Sequence, residues 1–131
     1  MEPRFVSAAE LYGEVPYEYA AIAPPGGLVF TAGACPLDAD GSVVAPGDVE
    51  GQARQALANL SAALGAAGSA FGQVLKTTVY VAANDRTELV RAWRVVESAF
   101  APARPPSTLL GVAFLGYPDQ LVEIEAVALR R

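Results

Sequence analysis

Along most of the chain, apolar and polar residues either alternate or recur with a helical period, and the switches between the two mark the elements. In the run Leu121–Leu129, Glu123 and Glu125 alternate with Val122, Ile124 and Ala126. Strand side chains repeat every two residues, so both carboxylates project from one face and the apolar residues from the other. Leu109–Leu115 is a second strand-like apolar run, and Gly116-Tyr117-Pro118-Asp119 between them is a reversal cluster. The two runs are therefore expected to pair as a hairpin.

The earlier chain reads the same way. From Val49 to Ala67, Ala53, Ala56, Leu57, Leu60, Ala63 and Leu64 follow the spacing of an amphipathic helix, with Asp48 as N-cap and Gly68 as stop. A strand rich in β-branched residues, Val74–Val81, follows. Asn84-Asp85 then caps a second helix, Arg86–Phe100, with Leu89, Trp93, Val96 and Phe100 on its inner face. Pro102, Pro105 and Pro106 hold the chain extended before the last strands.

Upstream, Tyr17 and Tyr19 alternate with Pro16, Glu18 and Ala20 in a short strand within Val15–Ala23. Pro24-Pro25-Gly26-Gly27 breaks it and leads into the strand Leu28–Ala32. No helix start follows these glycines, so they read as a hairpin turn and not as a phosphate cradle. Glu2–Tyr12 shows no period and is expected to be irregular or an edge segment. The succession of elements suggests one α+β domain over residues 1–131, a mixed sheet with both helices packed on one face.

Composition narrows the function classes. At 53% hydrophobic and 18% charged residues the chain is globular, and no apolar run approaches the length that spans a bilayer. The first residues, MEPRFVSAAELYGEV, lack the basic-then-apolar plan of a secretion signal, so a soluble, cytoplasmic protein is expected. Nine basic against fourteen acidic residues give a net charge of −5, which argues against a nucleic-acid partner. One cysteine and no histidine remove the usual zinc constellations and leave Cys35 without an activating imidazole. Cys35 accordingly reads as a small buried hydrophobe.

Three segments carry a family resemblance. Leu121–Ala128 is similar to the C-terminal signature of the RidA (YjgF/YER057c/UK114) family, Thr31–Asp38 to its early strand-and-turn box, and Val74–Val81 to its central strand, in matching order. The resemblance implies the chorismate mutase-like (YjgF) fold with a six-stranded sheet, a homotrimer, and a small-molecule pocket between subunits. It also implies cofactor-free hydrolysis of imines or enamines, as in 2-iminobutanoate/2-iminopropanoate deaminases. A non-catalytic binding or regulatory module is the alternative, and a ribonuclease or translation inhibitor a third.

In active relatives an arginine before the penultimate strand clamps the substrate carboxylate, and an acidic residue on the last strand orients water. Those types suit the chemistry, since a guanidinium gives a two-pronged permanent charge and a carboxylate can hold or deprotonate water. Glu123 stands at the acidic position. Laying the family pattern over Arg104–Val112 puts its arginine at Ser107, or at Pro106 in the register shifted by one. By the same resemblance Tyr17, Ala32, Gly33 and Asn84 line the substrate pocket, and the hydroxyls of Ser107 and Thr108 are candidates to hydrogen-bond the ligand. Each has a plainer reading: Tyr17 as a half-buried strand aromatic, Asn84 as a helix cap, Ser107 and Thr108 as partners for backbone groups. Arg104 reads as a solvated loop charge, Glu125 as a solvated charge or a bridge to a neighbouring subunit. Lys76 is expected to reach solvent or to pair, with Glu123 or Asp119 as the acidic candidates.

Overall fold

The structure is a computed structural model that describes residues 4–15, 17–24 and 26–131. Glu2, Pro16 and Pro25, which belong to the expected edge segment, strand and turn, lie outside the described residues.

Both helices form where their periods and caps place them. Helix α1 spans Val49–Ala66, and Asp48 Oδ1 accepts from the Gly51 backbone N–H at 3.0 Å. Past its end Gly68 adopts a φ of 80°, a left-handed conformation that costs glycine little. Helix α2 spans Arg86–Phe100, capped by Asp85 Oδ1 on the Glu88 N–H. The cap is thus Asp85 and not Asn84. Strands are β1 (Arg4–Val6), β2 (Ala20–Ile22), β3 (Leu28–Thr31), β4 (Val74–Ala82), β5 (Ser107–Val112) and β6 (Val122–Leu129). The expected edge segment supplies β1, and the strand expected within Val15–Ala23 is shorter, leaving Tyr17 and Tyr19 ahead of it.

The six strands form one mixed sheet in the order β1-β2-β3-β6-β4-β5. β2 and β3 pair antiparallel around the Pro24–Gly27 turn, where the Gly27 N–H donates to Pro24 O at 2.8 Å. β4 and β5 run parallel, joined through α2, and all other neighbours are antiparallel.

The expected terminal hairpin does not form. β6 pairs with β3 and β4, so β4 separates it from β5. The turn chemistry at residues 116–119 is real, with Asp119 at a φ of 67° and the Gln120 N–H on Tyr117 O, but it reverses the chain across β4 and not beside β5. The central slot is the one that buries alternate residues of β6 fully: Val122, Ile124 and Ala128 lie at 0% exposure under the helices. They pack with Val29, Val79, Val81, Leu60, Leu64 and Val96 in the main core.

The helices cover one face of the sheet. The other carries Phe5, Phe30, Leu110 and Leu129, all exposed, around a polar centre of Thr78, Tyr80, Glu123 and Glu125. Among the described residues no helix is long and apolar enough to cross a membrane.

Candidate functional site

Glu123 sits in the middle of β6 on the face away from the helices, opposite Tyr80 of β4. Beside it runs the chain that leaves β3. Ala34 and Ile124 exchange backbone hydrogen bonds at 2.7 and 3.1 Å, a bridge that lays residues 33–35 along the strand. Buried Asn59 of α1 locks this segment by donating to Cys35 O at 2.8 Å and Leu37 O at 2.9 Å. Gly33 is required by the approach: a Cβ there would overlap the Glu123 carboxylate group.

The carboxylate is held on one side. Glu123 Oε1 accepts from the Cys35 thiol at 3.4 Å and from Gln120 Nε2 at 3.2 Å. Gln120 is 3% exposed, and its Oε1 accepts from the Tyr117 N–H, so it ties the turn before β6 to the acid. The Cys35 thiol is pushed up to about 12, first by burial and then by the charge of Glu123 and its hydrogen bond. It is a neutral donor at neutral pH, not a nucleophile.

Tyr17, Ala32, Gly33, Cys35, Gly116, Tyr117 and Glu123 line a cavity of about 480 Å³. The Tyr17 and Tyr117 hydroxyls stand 3.5 Å apart across it, and the Tyr17 ring meets Tyr19 edge-on at 5.7 Å. Burial, followed by the bond to Tyr117, raises the Tyr17 hydroxyl above its ordinary range.

Four of the expected site residues, Tyr17, Ala32, Gly33 and Glu123, are therefore together, and three are elsewhere in the chain. Ser107 faces the helices; its Oγ accepts from Thr77 Oγ1 at 2.6 Å in a cleft of about 230 Å³ with Trp93, Phe100 and Arg104. Thr108 lies on the opposite face, where its Oγ1 accepts from Lys76 Nζ at 2.8 Å. Asn84 lines an adjoining hollow with Phe114 and Asp119, and Gly116 and Tyr117 border both it and the Glu123 cavity.

Two expected charge partners are corrected. Lys76 meets Thr108 and its neighbour Thr77 O, not Glu123 or Asp119, because it pairs across the strands with Val127 while Glu123 faces Tyr80. Glu125 is not simply solvated: its Oε1 accepts from Tyr80 OH at 2.7 Å, which pushes that phenol up to about 12. The two neighbouring acids thus differ, Glu125 committed to a phenol within the sheet and Glu123 open to a cavity. Tyr117 and Gln120 are additions that the turn pattern did not single out. Their only sequence signal is the three-residue step from Gln120 to Glu123.

Comparison with known proteins decides the family. The endoribonuclease L-PSP family profile matches residues 8–130. The chain belongs to this family, the RidA/YjgF group. It is 37% identical over 107 residues to the 2-iminobutanoate/2-iminopropanoate deaminase of Salmonella typhimurium, covering 81% of this chain and 82% of that protein. Among solved structures, the YjgF gene product of Escherichia coli superposes with a TM-score of 0.83 at 32% identity, over 98% of this chain and 99% of that one. Escherichia coli TdcF, solved with bound serine, gives 0.83 at 30% identity over the same shares. The mixed six-stranded sheet with two helices on one face is thus the fold of this RidA/YjgF family, and imine handling is the activity that the family includes.

Proposed function

We propose that the protein is a cofactor-free hydrolase of a small imine or enamine, with Glu123 orienting and deprotonating the attacking water. The observation that carries this reading is the asymmetry of the Glu123 carboxylate: Oε1 is fixed by Cys35 and Gln120, while the group as a whole lines the cavity beside Gly33. A carboxylate with one oxygen anchored presents the other in a defined direction, which is what a positioned general base requires.

Water adds to the imine carbon while its proton passes to Glu123 and on to the nitrogen. The carbinolamine then expels ammonia and leaves a carbonyl. Tyr17 and the backbone of Ala32 and Gly33 wall the substrate.

Thr108, on the same sheet face as Glu123, and Asn84 complete this reading only from another copy of the chain. The exposed sheet face with Phe5, Phe30 and Leu110 supplies an apolar surface for such association, and the homotrimer of the resemblance is the proposed assembly.

Ammonia release from imines generated in situ, both 2-iminopropionate and the carboxylate-free imine of acetaldehyde, tests the reading. Wild type should accelerate at least one of them about a hundredfold or more over Glu123→Gln, the scale of a lost general base. No acceleration of either imine, with wild type equal to the variant, would leave only a non-catalytic binding module. Ser107→Arg should raise activity on 2-iminopropionate by restoring a carboxylate clamp, and a gain in Pro106→Arg instead would shift the register by one residue.

A further inference from the structure

The charge inside the cavity bears on what it can hold. Among the described residues that line it, Glu123 is the sole carboxylate, and there is no lysine or arginine. Cys35 stays a neutral thiol and Tyr17 a neutral phenol through the physiological range. The two hydrogen bonds to Glu123 Oε1 come from uncharged donors, so they orient the negative charge without cancelling it. Lys76, on the same face of the sheet, donates to Thr108 Oγ1 and Thr77 O and does not line the cavity. The chain as a whole carries a net charge of −5. A second anion entering this cavity meets like charge at short range, whereas a cation meets a carboxylate and the rings of Tyr17 and Tyr117.

We propose that the cavity selects a small cationic ligand without a carboxylate, an iminium ion or the ammonium of its amine, held between Glu123 and the Tyr17/Tyr117 pair. This rests on the hydrolase reading and specifies its substrate class. In the balanced reaction one iminium ion, protonated on nitrogen, and one water give one carbonyl compound and one ammonium ion. Water forms the new C–O bond and gives a proton to Glu123, which returns it to nitrogen; the second water proton follows to nitrogen as the C–N bond breaks and the C=O bond forms. The positive charge leaves with ammonium, and Glu123 ends as it began. The charge pair is neutralised in the carbinolamine, while Glu123 holds the proton, and is restored as ammonium forms, so the carboxylate attracts the iminium substrate and the ammonium product alike.

Binding is measured separately from turnover with two probes of equal shape and opposite charge, tert-butylammonium and pivalate, by thermal shift and calorimetric titration of the full chain. Tert-butylammonium should stabilise the wild type in a concentration-dependent manner and pivalate should not. Glu123→Gln, which keeps the shape of the side chain, should weaken tert-butylammonium binding about tenfold or more. Tyr117→Leu, on the turn surface, should weaken it about three- to tenfold through loss of one aromatic face. Rising salt should reduce the affinity.

Preference for pivalate, or equal binding of the two probes, overturns the proposal. If pivalate binding is also abolished by Arg104→Ala, that arginine is the clamp and the cavity is anionophilic. No binding of either probe overturns it too. The imine assay is independent: cation binding without turnover of either imine removes the hydrolase reading, and turnover with a pivalate preference removes only the ligand class.

Discussion

Cys35 Sγ donates to Glu123 Oε1 across 3.4 Å, joining the segment that leaves β3 to the middle of β6. The thiol is buried and shares its proton with a carboxylate, so folding raises its pKa to about 12 from an ordinary value near 9. In that window the unfolded chain releases the thiol proton and the folded chain keeps it. The unfolded state binds fewer protons there, and stability falls as pH rises. The unfolding free energy from urea titrations should therefore decline from pH 9 upward, at a slope of up to about 1.4 kcal/mol per pH unit from this group. Cys35→Ala should flatten the profile between pH 9 and 10, below the range where the raised tyrosines contribute. Parallel profiles for the two proteins would contradict the assignment.

Gly33 and Glu123 approach so closely that a methyl group does not fit between them. The atoms in the way are the end of the Glu123 side chain, which can swing, so Gly33→Ala should cost little stability. It should cost most of the imine hydrolysis, because the carboxylate leaves its hydrogen bonds to Cys35 and Gln120. Paired melting curves and ammonia assays test this; a variant with full activity would show that the observed carboxylate position is not the working one.

Gln52 of α1 is completely buried and stitches the helix to the chain before β6. Its Nε2 donates to Asp119 O at 2.9 Å, and its Oε1 accepts from the Leu121 N–H at 2.7 Å. Gln52→Leu fills the same space but leaves both backbone groups without partners. The expected loss is about 1–3 kcal/mol by urea denaturation, from part-buried backbone groups that lose the amide. A loss under about 1 kcal/mol would mean that water replaces the amide.

Phe30, 52% exposed, lies with Phe5 and Leu110 on the sheet face that the helices leave open. If that face is where copies meet, Phe30→Asp puts a desolvated charge in the interface and should convert the proposed homotrimer to monomer in sedimentation velocity. Activity should fall with it, because Thr108, on the same sheet face as Glu123, and Asn84 would no longer reach a neighbour's Glu123. Wild type sedimenting as a single copy would remove the proposed assembly.

The local elements were legible because their signals are local. Asp48 and Asp85 cap the helices they precede, and the alternation around Glu123 and Glu125 is the burial pattern of β6. The pairing of strands was not. The runs that became β5 and β6 are both apolar and flank a genuine turn, so short-range reading joins them. The choice between that hairpin and the slot between β3 and β4 depends on which placement buries Val122, Ile124 and Ala128 under both helices. That energy is a property of the assembled layers and of no segment alone.

The site divides in the same way. Period-two alternation by itself put Glu123 on the face opposite the core, and the family resemblance of Thr31–Asp38 marked Gly33 as a pocket position. Only the tertiary structure brought Cys35 and Gln120 to one carboxylate oxygen, gave Glu125 to Tyr80, and turned Ser107 toward the helices. Side-chain direction follows from the local backbone period, whereas a partner far along the chain is chosen by sheet order and packing.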